Sequence, residues 1–231
     1  MRLLIIRHGD PDYENDTLTD RGKIEAAYLA ERMTKENVKD FYVSPLGRAA
    51  LTAKYTLDRL ERKGTTCEWL REFAPRIDRP DRENAACSWD WLPADWTPQD
   101  EFYDADHWTD NDTMAASDVK EQYDWVCREF DALLEKYGYV RENRYYRVKP
   151  GMANNDTIAF FCHFGLECVL ISRLLSVSPM PLWHGFCAAP TSVTTIYTEE
   201  RREGIASFRI AEFGNVDHLN ASGMEPSKHA R

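Results

Sequence analysis

Four consecutive apolar residues, Leu3-Leu4-Ile5-Ile6, run straight into Arg7-His8-Gly9. A continuous apolar run of this length is the pattern of a strand buried on both faces, as in a parallel sheet. A chain that carries its first strand at the extreme N-terminus in this form is pushed toward a layered α/β fold. A second run, Thr157-Ile158-Ala159-Phe160-Phe161-Cys162, closes on His163-Phe164-Gly165. Two such strands, far apart in sequence, are predicted to bring their histidines to one sheet edge. An imidazole there can act as a nucleophile, a guanidinium can hold phosphate oxygens in a bidentate fork, and Gly9 allows the backbone to approach a ligand.

The remaining pattern alternates strands and helices. Asp40-Phe41-Tyr42-Val43 and Thr66-Cys67-Glu68-Trp69-Leu70 read as strands. Thr19 or Asp20 caps a helix to about Lys35, with Ile24, Ala27, Tyr28 and Met33 on one face. Ser44 followed by Pro45 reads as the cap and first position of a helix to about Arg62. Residues 118–137 carry a helical period in Val119, Tyr123, Val126, Phe130, Leu133 and Leu134. Gly165 to Leu175 is helical, and Ser192–Thr198 with Ala206–Phe213 form two last strands joined near Glu203-Gly204. The tail after Asn220 reads as frayed. These elements predict a three-layer α/β/α sandwich with a mostly parallel central sheet.

With 231 residues, the chain is expected to form a single domain, residues 1–231. One segment breaks the pattern. Between about 74 and 118 it gathers Trp89, Trp91, Trp96 and Trp108 with prolines and aspartates and no period, which reads as a lid-like insertion. Four tryptophans predict that part of it is buried. His184 reads equally as a pocket residue or a satisfied core histidine. Asp104, Asp106, His107, Asp110 and Asp112 are ligand types for a cation, but read as a solvated acidic loop, so no metal is assigned.

A net charge of −10 makes a nucleic-acid backbone a poor partner. No apolar run approaches membrane-spanning length, and no signal-peptide core precedes Arg7. Six cysteines without a CxxC pair read as reduced thiols, which gives a cytoplasmic expectation.

Four segments bear on one reaction: Arg7-His8-Gly9; Ser44-Pro45-Leu46-Gly47-Arg48-Ala49, with Arg48 in a first helical turn that already favours an anion; Leu70-Arg71-Glu72; and His163. In this order, together with Leu18-Thr19-Asp20-Arg21-Gly22, Pro190-Thr191-Ser192-Val193 and His218-Leu219, they resemble the histidine phosphatase (phosphoglycerate mutase-like) superfamily. The resemblance implies a phosphoglycerate mutase-like fold and ping-pong phosphoryl transfer. His8 attacks phosphorus, Arg7, Arg48 and His163 hold the phosphoryl oxygens, and Glu72 serves as acid and then base. It implies no cofactor and no metal. The pattern departs from many relatives at Asp10-Pro11-Asp12-Tyr13-Glu14-Asn15, where Glu-Thr and a later Trp-Asn are usual, and at Phe164, which separates His163 from Gly165. The short segment from Asp10 to Thr17 favours a phosphatase over a mutase. The expected function is therefore a metal-independent phosphomonoester hydrolase acting on a small phosphorylated metabolite. Its alternatives are a phosphoglycerate mutase and a catalytically weak phospholigand-binding module. Substrate identity and oligomeric state are not readable from the sequence.

Overall fold

The computed structural model of the protein describes residues 1–227. The chain opens with strand β1 (Arg2–Arg7), a small hairpin of β2 (Pro11–Asp12) and β3 (Thr17–Leu18), helix α1 (Asp20–Met33), β4 (Val38–Val43), α2 (Gly47–Leu60) and β5 (Thr65–Thr66). The irregular segment follows, with hairpin β6 (Arg76–Ile77) and β7 (Ala86–Cys87) and short helices α3 (Pro93–Trp96) and α4 (Asp112–Ala115). The long α5 (Val119–Lys136), hairpin β8 (Tyr139–Glu142) and β9 (Tyr145–Val148), β10 (Thr157–Cys162), α6 (Phe164–Leu175), α7 (Pro179–Gly185), β11 (Val193–Arg202), β12 (Ile205–Asn215) and α8 (Asp217–Asn220) complete it.

The main sheet has eight strands in the order β5-β4-β10-β1-β11-β12-β9-β8. The half from β5 to β1 is parallel, and from β1 onward every junction is antiparallel. Alternate residues of the two central strands enter two separate cores, as the period-2 geometry of a strand requires. Leu3, Ile5, Ile158 and Phe160 pack with α5 and α6, while Leu4, Ile6, Ala159 and Phe161 pack with Leu29, Met33 and Ala53 of α1 and α2. Each of the leucine, isoleucine, phenylalanine and methionine side chains, fully buried, contributes about 1.5–3 kcal/mol. This division of β1 and β10 between two faces makes three layers.

Several local expectations are corrected. Thr19 caps α1 by accepting the Gly22 N–H at 3.0 Å, but the buried face of α1 is Ala26, Leu29, Ala30 and Met33. Ile24 and Tyr28 are exposed, because small residues let this helix sit close to the sheet. Helix α2 begins at Gly47, not at Ser44-Pro45, since Ser44 is drawn into the site described below. The predicted strand 66–70 shrinks to Thr65–Thr66, and Glu68–Leu70 winds into a 3-10 turn that sends Trp69 and Leu70 into the core. The hairpin turn at Glu203-Gly204 is present, with Gly204 at φ +78°. Residues 221–227 are not frayed: the Glu225 carbonyl accepts from Arg21, and the buried Ser227 hydroxyl donates to Asp10. The last four residues of that tail lie outside the described residues.

Candidate active site

Parallel pairing sets β1 and β10 in register, with Arg7 opposite Cys162. The residues that follow, His8 and His163, therefore emerge side by side at the carboxyl ends of adjacent parallel strands, where ligands bind in open α/β sheets. Their ring centroids are 5.1 Å apart. His8 is 1% exposed and His163 fully buried. The His8 main-chain N–H donates to the Cys162 carbonyl at 3.0 Å, and Thr191 N–H donates to the His8 carbonyl at 3.1 Å. The backbone at the histidine is thus held from both sides.

The His8 Nδ1 lies 2.7 Å from the Gly9 carbonyl oxygen. A carbonyl only accepts, so Nδ1 carries the proton and Nε2 keeps its lone pair. Burial, with the Arg7 and Arg48 guanidinium groups nearby, pushes the His8 pKa down to about 3. The imidazole is consequently neutral at physiological pH. His163 is also pushed well below the usual imidazole value, by burial first and then by His8 and the two arginines. Its Nε2 meets the Ser44 hydroxyl at 2.8 Å, and its Nδ1 has no hydrogen-bond partner among the described residues.

Two arginines flank the pair, both nearly buried. Arg7 donates to the Ala188 carbonyl, and its guanidinium carbon lies 5.9 Å from the Phe164 ring centre. Arg48 donates to Asp16 Oδ1 at 2.6 Å and lies 5.4 Å from the Tyr13 ring centre. Asp16 also accepts the Gly47 N–H at 2.6 Å, so one carboxylate ties the β2–β3 hairpin to the start of α2 and aims Arg48. The short Asp10–Thr17 segment is that hairpin. Asn15 is spent within it, donating to Asp12. Gly9 is small for another reason than ligand approach: a Cβ there would lie 2.8 Å from the Gly22 carbonyl of α1.

Glu72 is half-buried. Its Oε1 accepts the N–H groups of Phe73 at 2.9 Å and Leu166 at 3.0 Å. Burial raises its pKa above the usual 4.5, against the pull of Arg48, these two hydrogen bonds and Arg7. Gly165 leaves room for this carboxylate: a Cβ there would lie 2.7 Å from Glu72 Oε1 and 2.7 Å from Trp89 Nε1. Thus Phe164 does not displace the glycine from its task.

The structure brings together Arg7, His8, Arg48, Glu72 and His163 around one opening. Residues with no individual role legible in the sequence surround them: Tyr13, Asp16, Ser44, the buried Glu167 and Thr191, of which Ser44 and Thr191 lay in segments already singled out. Thr191 takes a left-handed φ of +60°, uncommon for a β-branched residue, and its Oγ meets His218 Nε2 at 3.0 Å. The only available clue to these was order in the chain, since each is a common residue in a loop or helix start.

The insertion contributes Trp89, Asp90, Trp91, Pro93 and Trp96 to the lining of a cavity that Arg7 also lines. Arg79, buried with Asp81, donates to the carbonyls of Cys87, Trp89 and Asp90 and so holds that loop. Arg76 and Arg82 are exposed. His184 donates from Nδ1 to the Met180 carbonyl at 2.7 Å and accepts the Trp91 N–H on Nε2 at 2.9 Å, a clip between α7 and the insertion. His107 pairs with Asp110 at the surface. Among the described residues no group of three or more His, Cys, Asp or Glu side chains is arranged to hold a metal, and no helix is long and apolar enough to cross a membrane.

The family model of the histidine phosphatase superfamily (branch 1) matches residues 3–211. The chain belongs to that superfamily. This histidine phosphatase matches no curated protein. Among solved structures it is similar to a phosphoserine phosphatase from Entamoeba histolytica bound to phosphoserine, with TM-score 0.60 and 20% identity over 94% of this chain and 98% of that one. A mycobacterial glucosyl-3-phosphoglycerate phosphatase follows at TM-score 0.58 and 18% identity, over 92% and 98%. The α-ribazole phosphatase from Shigella flexneri gives TM-score 0.56 and 20% identity, over 94% and 97%. At these identities the likeness is one of fold, and it extends over nearly the whole of each chain.

Proposed function

We propose that this histidine phosphatase hydrolyses phosphomonoesters of small metabolites through a phosphohistidine on His8. The observation that carries the reading is the His8 hydrogen bond to the Gly9 carbonyl in a site flanked by two guanidinium groups. It leaves a neutral imidazole that keeps its lone pair on Nε2 beside the Arg7 and Arg48 guanidinium groups.

In the first step Nε2 attacks phosphorus and the ester P–O bond breaks. Arg7, Arg48 and His163 stabilise the charge on the non-bridging oxygens. The Glu72 carboxyl, whose pKa burial raises above the usual value, gives its proton to the departing oxygen. In the second step water attacks phosphorus, Glu72 takes its proton, and the N–P bond breaks to release phosphate and restore His8. The positive charge that phosphoryl transfer requires is supplied by side chains at each step. The phosphatases similar in fold, named for phosphoserine, glucosyl-3-phosphoglycerate and α-ribazole, support a small phosphorylated metabolite as substrate.

Phosphate release from p-nitrophenyl phosphate and a panel of metabolite esters in EDTA tests the reading, for wild type and His8→Ala. Release by wild type is expected to survive the chelator and to vanish in the variant, with a phosphohistidine trapped by mass spectrometry after an acid-free quench. Full activity in His8→Ala would falsify the mechanism. Interconversion of phosphoglycerates without net phosphate release would point to a mutase instead.

A further inference from the structure

A cavity of about 590 Å³ opens beside the phosphate site, with Arg7 and Tyr13 on its lining. Most of its other walls are aromatic: Trp89, Trp91, Trp96, Phe164, Trp183 and Phe186. The volume suits a small organic ligand. Tyr13 stands edge-on to the His8 ring at 6.5 Å, so the cavity continues directly from the nucleophile.

Several of the wall's polar hydrogens are occupied. The indole N–H groups of Trp89, Trp91 and Trp183 donate to the carbonyls of Phe73, Ser88 and Gly165. Both His184 nitrogens are engaged, and its ring stacks on Trp96 with centroids 4.7 Å apart and planes 23° apart. Trp89 and Phe164 meet edge to face at 6.0 Å. Much of the surface left for a ligand is therefore ring face and ring edge, with the Arg7 guanidinium and Asp90 as its charged groups. A hydroxyl-rich group buried here would find few partners, and each unpaired hydroxyl is penalised. A flat π system finds stacking and edge contacts on several sides. Asp90 is the one carboxylate on the lining among the described residues, and it is exposed, whereas the guanidinium of Arg7 sits at the inner end. That balance disfavours a cationic group over a neutral ring.

We propose that the preferred substrate is a phosphomonoester whose leaving alcohol carries an aromatic ring on a short alkyl arm, seated against Trp96 and Phe164. This assignment rests on the phosphomonoesterase reading above and adds the chemical class of its substrate.

The test compares alkyl esters, so that leaving-oxygen basicity does not favour the aromatic compound. Benzyl phosphate and 2-(indol-3-yl)ethyl phosphate are set against glycerol 3-phosphate, phosphoserine, choline phosphate and cyclohexylmethyl phosphate. Wild type is expected to show kcat/KM at least about ten-fold higher for the two aromatic esters. Trp96→Ala is expected to lower kcat/KM for the indolyl ester at least about ten-fold more than for glycerol 3-phosphate, mostly through KM. Equal or faster turnover of any non-aromatic ester overturns the assignment and leaves the phosphatase reading standing. A selectivity ratio unmoved by Trp96→Ala, with Phe164→Ala equally without effect, also overturns it. If no ester is hydrolysed, the catalytic reading fails, and calorimetric binding of benzyl phosphate against glycerol 3-phosphate then decides: about ten-fold tighter benzyl binding upholds the aromatic subsite, and equal binding removes it.

Discussion

His8 and Glu72 are driven in opposite senses by one environment. Burial disfavours charge on both, so the base sheds its proton readily and the acid's pKa rises above its usual value. Turnover of an alkyl ester needs His8 neutral, which holds down to about pH 3, and Glu72 protonated, which fails as pH rises through its elevated pKa. The kcat/KM profile is therefore expected to fall on the alkaline side. Glu72→Gln preserves an acceptor for the Phe73 and Leu166 N–H groups but has no proton to give. It is expected to lower kcat/KM for benzyl phosphate by about 10²–10⁴-fold and to flatten that limb. The loss in kcat/KM, which reports transfer to His8 and not the shared hydrolysis in which Glu72 is the base, should be far smaller for p-nitrophenyl phosphate, whose phenolate leaves without protonation. Equal losses on both esters, measured by steady-state kinetics from pH 4 to 9, would contradict the acid role.

At the scale of elements, the start of α6 is shaped by what it must avoid. Replacing a helical glycine by alanine ordinarily stabilises by about 1 kcal/mol. At Gly165 the added methyl would meet the Glu72 carboxylate and the Trp89 indole, both at 2.7 Å. Gly165→Ala is expected to lower kcat on alkyl esters about 10–100-fold while the melting temperature changes little, because helix propensity offsets the displaced contacts. An unchanged kcat would show that Glu72 moves without consequence. The same elements show where sequence patterns stop. The runs in β1 and β10 were legible because a strand buried on both faces must be apolar throughout. The buried face of α1 was not, since Ala26 and Ala30 signal burial less than Ile24 and Tyr28, which are exposed. Close packing of a helix on a sheet selects small residues, and a hydrophobicity period underweights them.

Across the whole molecule, the β1, β10 and α6 junction holds a carboxyl that the proposed reaction does not use. Glu167 is 1% exposed, and one of its oxygens has no hydrogen-bond partner among the described residues. Burial pushes its pKa up to about 7, opposed by Thr194 and Arg7. The folded state therefore keeps a proton between about pH 4.5 and 7 that the unfolded chain has lost. More protons bound in the native state means that stability declines as pH rises through this window. The contribution is fully present below pH 4.5 and gone above about pH 7, and it amounts to at most about 3 kcal/mol. Relative to wild type, Glu167→Gln is expected to gain stability between pH 5 and 8, which urea unfolding at the two values checks. A wild-type-minus-variant difference that stays constant with pH would remove Glu167 from the account.

By itself the sequence determined the layered α/β class and the central strands, and it singled out Arg7, His8, Arg48, Glu72 and His163 as candidates, because continuous apolar runs and chemistry-bearing motifs are local properties of the chain. It did not determine how those residues are held. Asp16 on Arg48, Ser44 on His163 and Thr191 on the His8 carbonyl join positions 32, 119 and 183 residues apart. Such pairs are made by strand order and register, which bring distant segments to one sheet edge. The aromatic cavity belongs to the same class. Its tryptophans were visible as a cluster, but it is the Arg79 clamp and the His184 clip, both tertiary contacts, that hold this loop where its rings line a cavity with Arg7.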